Sequence, residues 1–575
     1  MVNLSCQPKN SSLYLEQTKM IPIPFEINDN YSASYAEAIS FYQQLAKASS
    51  LVTIEEIGPS DSGRPLHAVI IGDSSIKNAA SAKNAGKTVL FINNAIHPGE
   101  PCGVDASMLL TRDLIFSKKL KNYLEKTIIV LIPIYNISGA LNRGSYSRAN
   151  QQGPEFYGFR GNVRNYDLNR DFIKCDTKNA QTFNAYYTQW DPDVFIDNHT
   201  SNGADYPYVI TLIATQKDKL HPILSENLSN SMLPFLYQKM EETKYEMTPY
   251  VYSRNTPDDG IAAFLDLPRY SSGYAAMHHS YSFMPETHML KQFKDRVWST
   301  YHFMVSMLDY LQENGEMVRK SRENAKKATI RQKEFPLNWT IDMDKASTLK
   351  FKGYTAEYKP SKVTGKDRLF YNHDLPYTKE IPYFNTYKAI SSVQSPKEYI
   401  IPQAYDQIIH RLKWNGVKME QLQKDTVLDV EVYYIEDLES RKMAYEGHFL
   451  HSNVVVRKEN QKLQFFQGDF KVTTNQEAKR YLVEVLEPEG PDSFFAWNFM
   501  DGILMQKEYF SSYVFEETAE KLLSENDDLK KLFVKKKQED EKFADNARAQ
   551  LNFIYTHSPY YEKSYRRYPI ARIIE

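Results

Sequence analysis

The sequence predicts an α/β domain, a central sheet with helices on both faces, followed by a mixed, mostly β region with a helical tail. Short apolar runs recur through the first half: VLFINNAI (89–96), TIIVLIPI (127–134), DVFIDNH (193–199) and YVITLIAT (208–215). Helical segments at 104–116 and 177–188 lie between them, and buried strands alternating with helices build a sheet covered on both sides. Beyond 335 the period changes. Leu428, Val430, Val432 and Tyr434 alternate with Asp429, Glu431 and Tyr433, the two-residue repeat of a half-buried strand.

In chain order, 1–30 reads as a flexible N-terminus. Ser34-Tyr35-Ala36-Glu37 is a capping box and starts a helix over 35–48. IEEIGPSDSGRPLHAVIIGD (54–73) reads as two strands around a turn at 58–63, and a long amphipathic helix over 289–324 packs on the sheet and closes the domain. The charged stretch MVRKSRENAKKATIRQKE (317–334) suits an exposed helix extension or a linker, so the first domain spans 31–335 and the second 336–575. In the second, VVVRKENQKLQFF (454–466) reads as a hairpin turning near Glu459-Asn460, with helices around 402–413, 475–486 and 516–550.

Composition narrows the function classes. The 575 residues are 42% hydrophobic and 25% charged with a net charge of -2, which suits a soluble globular protein and excludes a basic nucleic-acid footprint. The three cysteines, Cys6, Cys102 and Cys175, form no CxxC, so a metal would need nitrogen and oxygen ligands. The longest apolar stretch, 127–134, is far short of the roughly 20 residues of a transmembrane span. Leu4-Ser5-Cys6 before a polar stretch resembles the end of a lipoprotein signal, which would make the protein periplasmic or lipid-anchored. The charged and apolar parts of such a signal are missing, which fits an ordinary N-terminus.

Ligand sites in α/β sheets lie where strands end, and His97, Asp197, His199 and Glu286 all follow strand-like runs. Zinc in hydrolases takes three His, Asp or Glu ligands and leaves a fourth position for water. His97 and Glu100, three residues apart around the bend at Pro98-Gly99, can face one ion, and His199 at the same sheet edge is the candidate third ligand.

With the tract RGSYSRANQQGPEFYGFRGNVRNYDLNRD (143–171) added, the chain resembles the carboxypeptidase A-like zinc carboxypeptidases over about 34–315. That family's order is an HxxE zinc motif, an Asp-x-Asn-Arg segment, a strand-end His and a catalytic Glu. Here these are His97 and Glu100, Asp167-Leu168-Asn169-Arg170, His199, and Glu286 in YSFMPETH; GPSDSGR (58–64) also looks like a family segment. The resemblance implies a mixed central sheet and one zinc per chain on His97, Glu100 and His199. It gives Glu286 the general acid/base role and makes Asp167 the carboxylate that orients His97. Arg148 matches the arginine that stabilises the oxyanion, with Arg143 or Arg164 as substitutes, and Asn169 and Arg170 match the pair that receives the substrate's terminal carboxylate. Tyr270 and Tyr274 are both candidates for the family's mobile tyrosine, and His278-His279 are left as structural.

The implied activity is hydrolysis of C-terminal peptide bonds in peptides with a free C-terminus. Two other readings stay open: a zinc amidohydrolase deacylating N-acyl amino acids or cell-wall peptides, and a non-catalytic peptide- or glycan-binding protein. Gly99 stands where members often carry the arginine of HxRE. That departure, the long 150–165 loop and the added C-terminal domain point to an unusual bacterial branch.

Overall fold

The computed structural model describes residues 21–253 and 255–574, so Cys6 and its surroundings lie outside the described residues. Residues 21–30, expected to be flexible, are packed instead: Ile21, Ile23 and Phe25 are buried, and the Phe25 ring meets Phe293 and Trp298 edge-on. Three apolar side chains within five positions explain the docking, because their burial offsets the entropy of ordering so short a segment.

The strands of the first half are β1 (Val52–Pro59), β2 (Pro65–Ile71), β3 (Thr88–Asn93), β4 (Thr127–Ile132), β5 (Val194–Asp197), β6 (His199–Ser201), β7 (Ile210–Ala214), β8 (Met247–Pro249), β9 (Ile261–Ala262) and β10 (Tyr281–His288). All but β9 form one sheet in the order β1-β2-β4-β3-β5-β10-β7-β8, with β6 also paired to β10. The sheet is mixed. Strands β4, β3, β5 and β10 run parallel, while β1 and β2 at one side and β7 against β10 are antiparallel. Every residue of β3, β4 and β5 is buried, as their unbroken apolar runs require of strands covered on both faces.

Helix α1 (Tyr35–Ala48) begins with its capping box in place: Ser34 Oγ accepts from the Glu37 N–H at 3.3 Å, and the Glu37 carboxylate accepts from the Ser34 N–H at 2.7 Å. Helices α2 (Cys102–Phe116) and α3 (Lys178–Trp190) lie between strands as expected, and α4 (Ser271–Met277) precedes β10. Helix α5 (Phe293–Arg331) is 39 residues long and absorbs most of the charged stretch at 317–334. It is no exposed extension, for Val318, Arg322, Ala325 and Thr329 are buried along one face. Arg322 reaches Asp191 and Asp193 at 2.8 Å each, so acidic partners at the start of β5 make burial of a charged helix face tolerable.

The second half holds β11 (Glu334–Ile341), β12 (Ser347–Pro360), β13 (Asp367–Phe384), β14 (Tyr387–Gln394), β15 (Glu398–Ile401), β16 (Glu420–Gln421), β17 (Thr426–Ser440), β18 (His451–Phe465), β19 (Phe470–Thr473) and β20 (Ala571–Ile573), with helices α6 (Asp406–Trp414) and α7 (Lys479–Leu486). The tail is α8 (Ser512–Glu525), α9 (Asp527–Glu539) and α10 (Ala547–Thr556), which share a small core of their own around Phe515, Leu529 and Leu551.

The expected hairpin turn at Glu459-Asn460 does not exist. β18 runs straight through, with Glu459 opposite Val432 and Asn460 opposite Glu431, and the real turn is the 441–450 connection between β17 and β18. Polar residues at 457–462 resemble a turn, but on the edge strand of a six-stranded antiparallel sheet with a solvated face they are ordinary strand positions. The two halves share one apolar cluster in which Phe91 and Phe183 belong with Tyr399, Leu412 and Trp497, and β13 pairs with β9 of the first half.

Candidate active site

The parallel strands deliver the site residues to one edge. Asn93 and Asp197, the last residues of β3 and β5, are register partners. His97 lies four positions past β3, and His199 begins β6 two positions past β5. On β10, Glu286 is the register partner of His199, which sets the two side chains beside each other on one face of the sheet.

His97, Glu100 and His199 converge, with one ligand atom of each within 4.8 Å of the others, and all three are buried. Each imidazole is oriented from behind. His97 Nε2 is 2.8 Å from Asp167 Oδ1, and His199 Nε2 is 2.9 Å from Asp197 Oδ2, so both rings turn Nδ1 inward toward Glu100 Oε2, at 3.3 and 3.2 Å. The buried Nδ1 of His97 has no hydrogen-bond partner among the described residues, because Glu100 lies off its hydrogen-bonding direction. An orphaned buried ring nitrogen beside a carboxylate and a second imidazole is the donor set that zinc takes, and the residues fit that ion.

Charges around the ligands are tightly managed. Burial would raise the Glu100 carboxyl, but the charges of His97 and Arg148 and the hydrogen bond with His199 hold it well below the usual range. Burial likewise opposes ionisation of Asp167, and His97, Arg160 and Arg170 overcome it. Burial pushes Glu286 up to about 7, with the nearby Glu100 charge adding to the rise and the imidazoles opposing it.

The ligands open into a cavity of about 540 Å³ that Arg148, Arg160, Asn169, Arg170, Tyr250, Phe264, Tyr270, Met284 and Glu286 help to line. Asn169 Oδ1 accepts the Ser271 N–H at 3.0 Å, which fixes the amide so that its Nδ2 donors remain for a ligand. Arg170 donates from Nε to Tyr445 Oη at 3.1 Å and from Nη1 to the Asn169 carbonyl at 2.8 Å, and its guanidinium lies 4.5 Å from the centre of the Tyr270 ring. Among the described residues its Nη2 has no partner.

Other candidates fall elsewhere. Tyr274 is wholly buried in α4, with its hydroxyl on Asn415 Oδ1 at 2.8 Å and its ring among Phe172, Tyr187 and His278, so it is a core residue away from the cavity. Arg143 donates to the carbonyls of Ser32 and Ala33, and Arg164 to that of Asp176; neither lines the cavity. Arg148 does, although it already donates to Glu100 Oε1 at 2.8 Å, Gln151 Oε1 at 2.7 Å and the Thr200 carbonyl at 3.0 Å. A Cβ at Gly99 would stand 2.7 Å from Arg148 Cδ, so the glycine leaves room for the Arg148 side chain on its way to Glu100. His279 is buried and His278 half-buried, and burial pushes both below the usual imidazole range.

Sequence reasoning missed three residues. Arg160, with its side chain 45% exposed, bridges Asp167 Oδ2 at 3.0 Å and Glu100 Oε1 at 3.3 Å. Tyr250, just past β8, lines the same cavity as Tyr270. Asp197 was noted only for its place after a strand; in the structure it orients His199 and is itself held by Asn93 Nδ2 at 3.0 Å. Outer partners of this kind are worth about 10–100-fold in metal affinity. Asp197→Ala is expected to weaken zinc binding by about that factor, read by competition with a chromophoric chelator; unchanged affinity would show that the His199 ring is held by its packing alone.

The sequence profile described as zinc carboxypeptidase matches residues 38–351, more than half of the chain. Carboxypeptidase 2 of Trichophyton rubrum is 22% identical over 475 residues, covering 79% of this chain and 81% of that protein, and Carboxypeptidase 2 of Trichophyton tonsurans is 22% identical over 473 residues with the same coverage. A stretch covering 79% of the chain cannot fit within residues 1–351, so the similarity continues into the C-terminal half instead of stopping near 315. Among solved structures, the metallo-carboxypeptidase from Pseudomonas aeruginosa in complex with (2-guanidinoethylmercapto)succinic acid aligns with a TM-score of 0.38 at 15% identity, over 50% of this chain and 70% of that one. Carboxypeptidase A from Helicoverpa armigera aligns with a TM-score of 0.37 at 14% identity, over 56% and 83%.

Proposed function

The chain belongs to the zinc carboxypeptidase family and is a zinc metallocarboxypeptidase acting on peptides; from that premise we propose how its own residues divide the work and which C-terminal residue it releases. His97, Glu100 and His199 hold one zinc per chain, and Asp167 and Asp197 fix the two imidazoles in the tautomer that leaves Nδ1 free to bind it. When bound, zinc acidifies water and polarises the scissile carbonyl. Glu286 takes the proton of the attacking water and hands it to the leaving amine, a task suited to a carboxylate whose affinity for a proton is raised toward neutrality.

Asn169 Nδ2 and Arg170 Nη2 receive the terminal carboxylate and so place the last peptide bond beside Glu286. Arg160 shares with Arg148 the stabilisation of the developing oxyanion, because Arg148 is largely occupied by protein acceptors while Arg160 stands more open to the cavity. The lipoprotein-like start at Cys6 supports a periplasmic or lipid-anchored site of action, and among the described residues no helix is long and apolar enough to cross a membrane.

The observation that carries this reading is the convergence of three ligands, Glu286 and the Asn169-Arg170 pair on one cavity. Its lining includes the apolar side chains of Ile213, Phe264 and Met284, and among the described residues its carboxylates are Glu100 and Glu286, both committed to zinc or catalysis in this reading. Apolar C-terminal side chains are therefore preferred over Lys and Arg, which would find no counter-ion. The test is C-terminal trimming of a mixed peptide library by the zinc-loaded chain, with the same peptides amidated. Release of apolar residues at least about tenfold faster than basic ones, blocked by amidation, is expected from the burial of a few methylenes. Equal release of Lys and Arg would refute the preference, and deacylation of N-acyl amino acids without trimming would refute the peptidase assignment.

A further inference from the structure

The 441–450 connection between β17 and β18 reaches out of the C-terminal half and closes on the segment that carries Asp167, Asn169 and Arg170. It ends in a tight turn, with the Tyr445 N–H donating to the His448 carbonyl at 2.7 Å and the His448 N–H returning to Tyr445 at 3.0 Å. All four residues of that turn touch residues 166–176. Tyr445 Oη accepts from Arg170 Nε at 3.1 Å, and Glu446 Oε2 accepts the Asp167 N–H at 2.8 Å. Gly447, at φ +84°, lies so close to Tyr166 that a Cβ there would stand 2.4 Å from the phenol oxygen. His448 Nε2 is 2.7 Å from Asp176 Oδ2.

The turn is rigidly backed. The Tyr445 ring stacks on the buried Trp497 at 6.1 Å with 16° between the planes, and the guanidinium of Arg441 lies 4.7 Å from its centre. Trp497 is fixed in turn by Nε1 donating to Asp492 Oδ1 at 3.1 Å, and the same oxygen pairs with Arg269 Nε at 2.8 Å. His448 Nδ1 meets Asn498 Oδ1 at 2.6 Å. Such a frame leaves the Tyr445 hydroxyl little choice of position.

This placement matters for the guanidinium. Arginine has many rotamers, and fixing one before the ligand arrives lowers the entropy lost on binding. Asp167 competes for Arg170: its Oδ2 is only 3.8 Å from Nη1. With Nε held by Tyr445, Nη1 by the Asn169 carbonyl and the face by Tyr270, Nη2 is left as the donor for an incoming group. We infer that the Tyr445–His448 turn of the C-terminal half is a positioning device for the carboxylate anchor, with Tyr445 aiming Arg170 at the free C-terminus of the peptide and away from Asp167. The inference rests on the reading of Arg170 as that anchor. It gives the C-terminal half a part in substrate selection, for a carboxypeptidase domain without it would lack the hydroxyl that aims its arginine.

The test uses the full, zinc-loaded chain carrying Glu286→Gln, so that ligands bind without turnover. The probes are N-benzoylglycyl-phenylalanine and its C-terminal amide, with affinities measured by calorimetry. Tyr445→Phe, which removes only the hydroxyl, should weaken binding of the acid about five- to tenfold, the span of one ordinary hydrogen bond, and leave the amide nearly unchanged. In the otherwise unaltered enzyme it should raise KM more than it lowers kcat. Equal weakening of acid and amide would reduce Tyr445 to a structural role and overturn the inference.

Arg170→Ala separates the two claims. If it leaves acid binding intact, the anchor reading itself fails; if it weakens the acid while Tyr445→Phe does not, only the positioning inference fails. Should Tyr445→Phe also lower the melting temperature, the double-mutant cycle decides. Loss of the hydroxyl should have no further effect on acid binding once Arg170 is alanine, and additive losses would overturn the proposal.

Discussion

Glu286→Gln is expected to lower kcat by about 10²–10⁴-fold while the affinity for a peptide substrate hardly changes. The substitution keeps size and shape and removes only the ability to take a proton. Among the described residues the Glu286 side chain has no hydrogen-bond partner, so little structure depends on its charge. It stands beside His199 across the β6–β10 register, where it can reach water held between the ligands and the substrate. The measurement is steady-state kinetics on a peptide with an apolar C-terminal residue, paired with calorimetric binding to the variant. A kcat within a few-fold of the unaltered enzyme would remove Glu286 from the proton-transfer role and open the search for another base in the cavity.

The second large effect belongs to the metal ligands. His199→Ala is expected to lose zinc and at least the factor of about 10–100 that outer partners of a metal site contribute, with the greater loss falling on kcat. The fold should survive, because β3 and β5 are buried throughout and β10 at every position but Glu286, without help from the ion. Stability should fall only by the linkage contribution of the lost zinc and by the cost of leaving buried Asp197 with Asn93 as its remaining side-chain donor. Metal content by atomic emission, circular dichroism and turnover give the three readouts. A variant that still holds one zinc per chain and still trims peptides would break the ligand assignment.

Much of the fold was legible because local signals were strong. The capping box at Ser34 and Glu37 starts α1 at Tyr35, as expected, and the apolar runs of β3, β4, β5 and β7 became strands of the central sheet. The signals that failed were those in which one pattern serves two structures. A charged stretch such as 317–334 looks like a linker unless Asp191 and Asp193 wait to pair with Arg322, and polar residues at 457–462 look like a turn unless a partner strand runs opposite them. Both depend on groups remote in sequence.

The site divides in the same way. His97, Glu100 and His199 were candidates from residue type and spacing, and Glu286, Asp167, Asn169 and Arg170 were added by the family resemblance; the structure brings all but Asp167 to the lining of one cavity, with Asp167 behind His97. Tyr270 and Tyr274 could not be told apart, since four positions on one short segment decide between a ring beneath Arg170 and a ring in the core. Arg160 was lost among several arginines in one loop, whose backbone path no spacing rule gives.

The sequence by itself determined the family and the candidates: residues that can hold zinc, a carboxylate placed to move a proton, and strands that end near both. Such information is local, carried by residue type and by periods of a few positions. Tertiary structure alone decided how each group is aimed. Asp197 orients His199, Gly99 makes room for Arg148, and Tyr445 meets Arg170 across 275 positions of chain. Aiming depends on contacts between segments that only packing brings together, and a side chain's direction is settled by whatever lies against it.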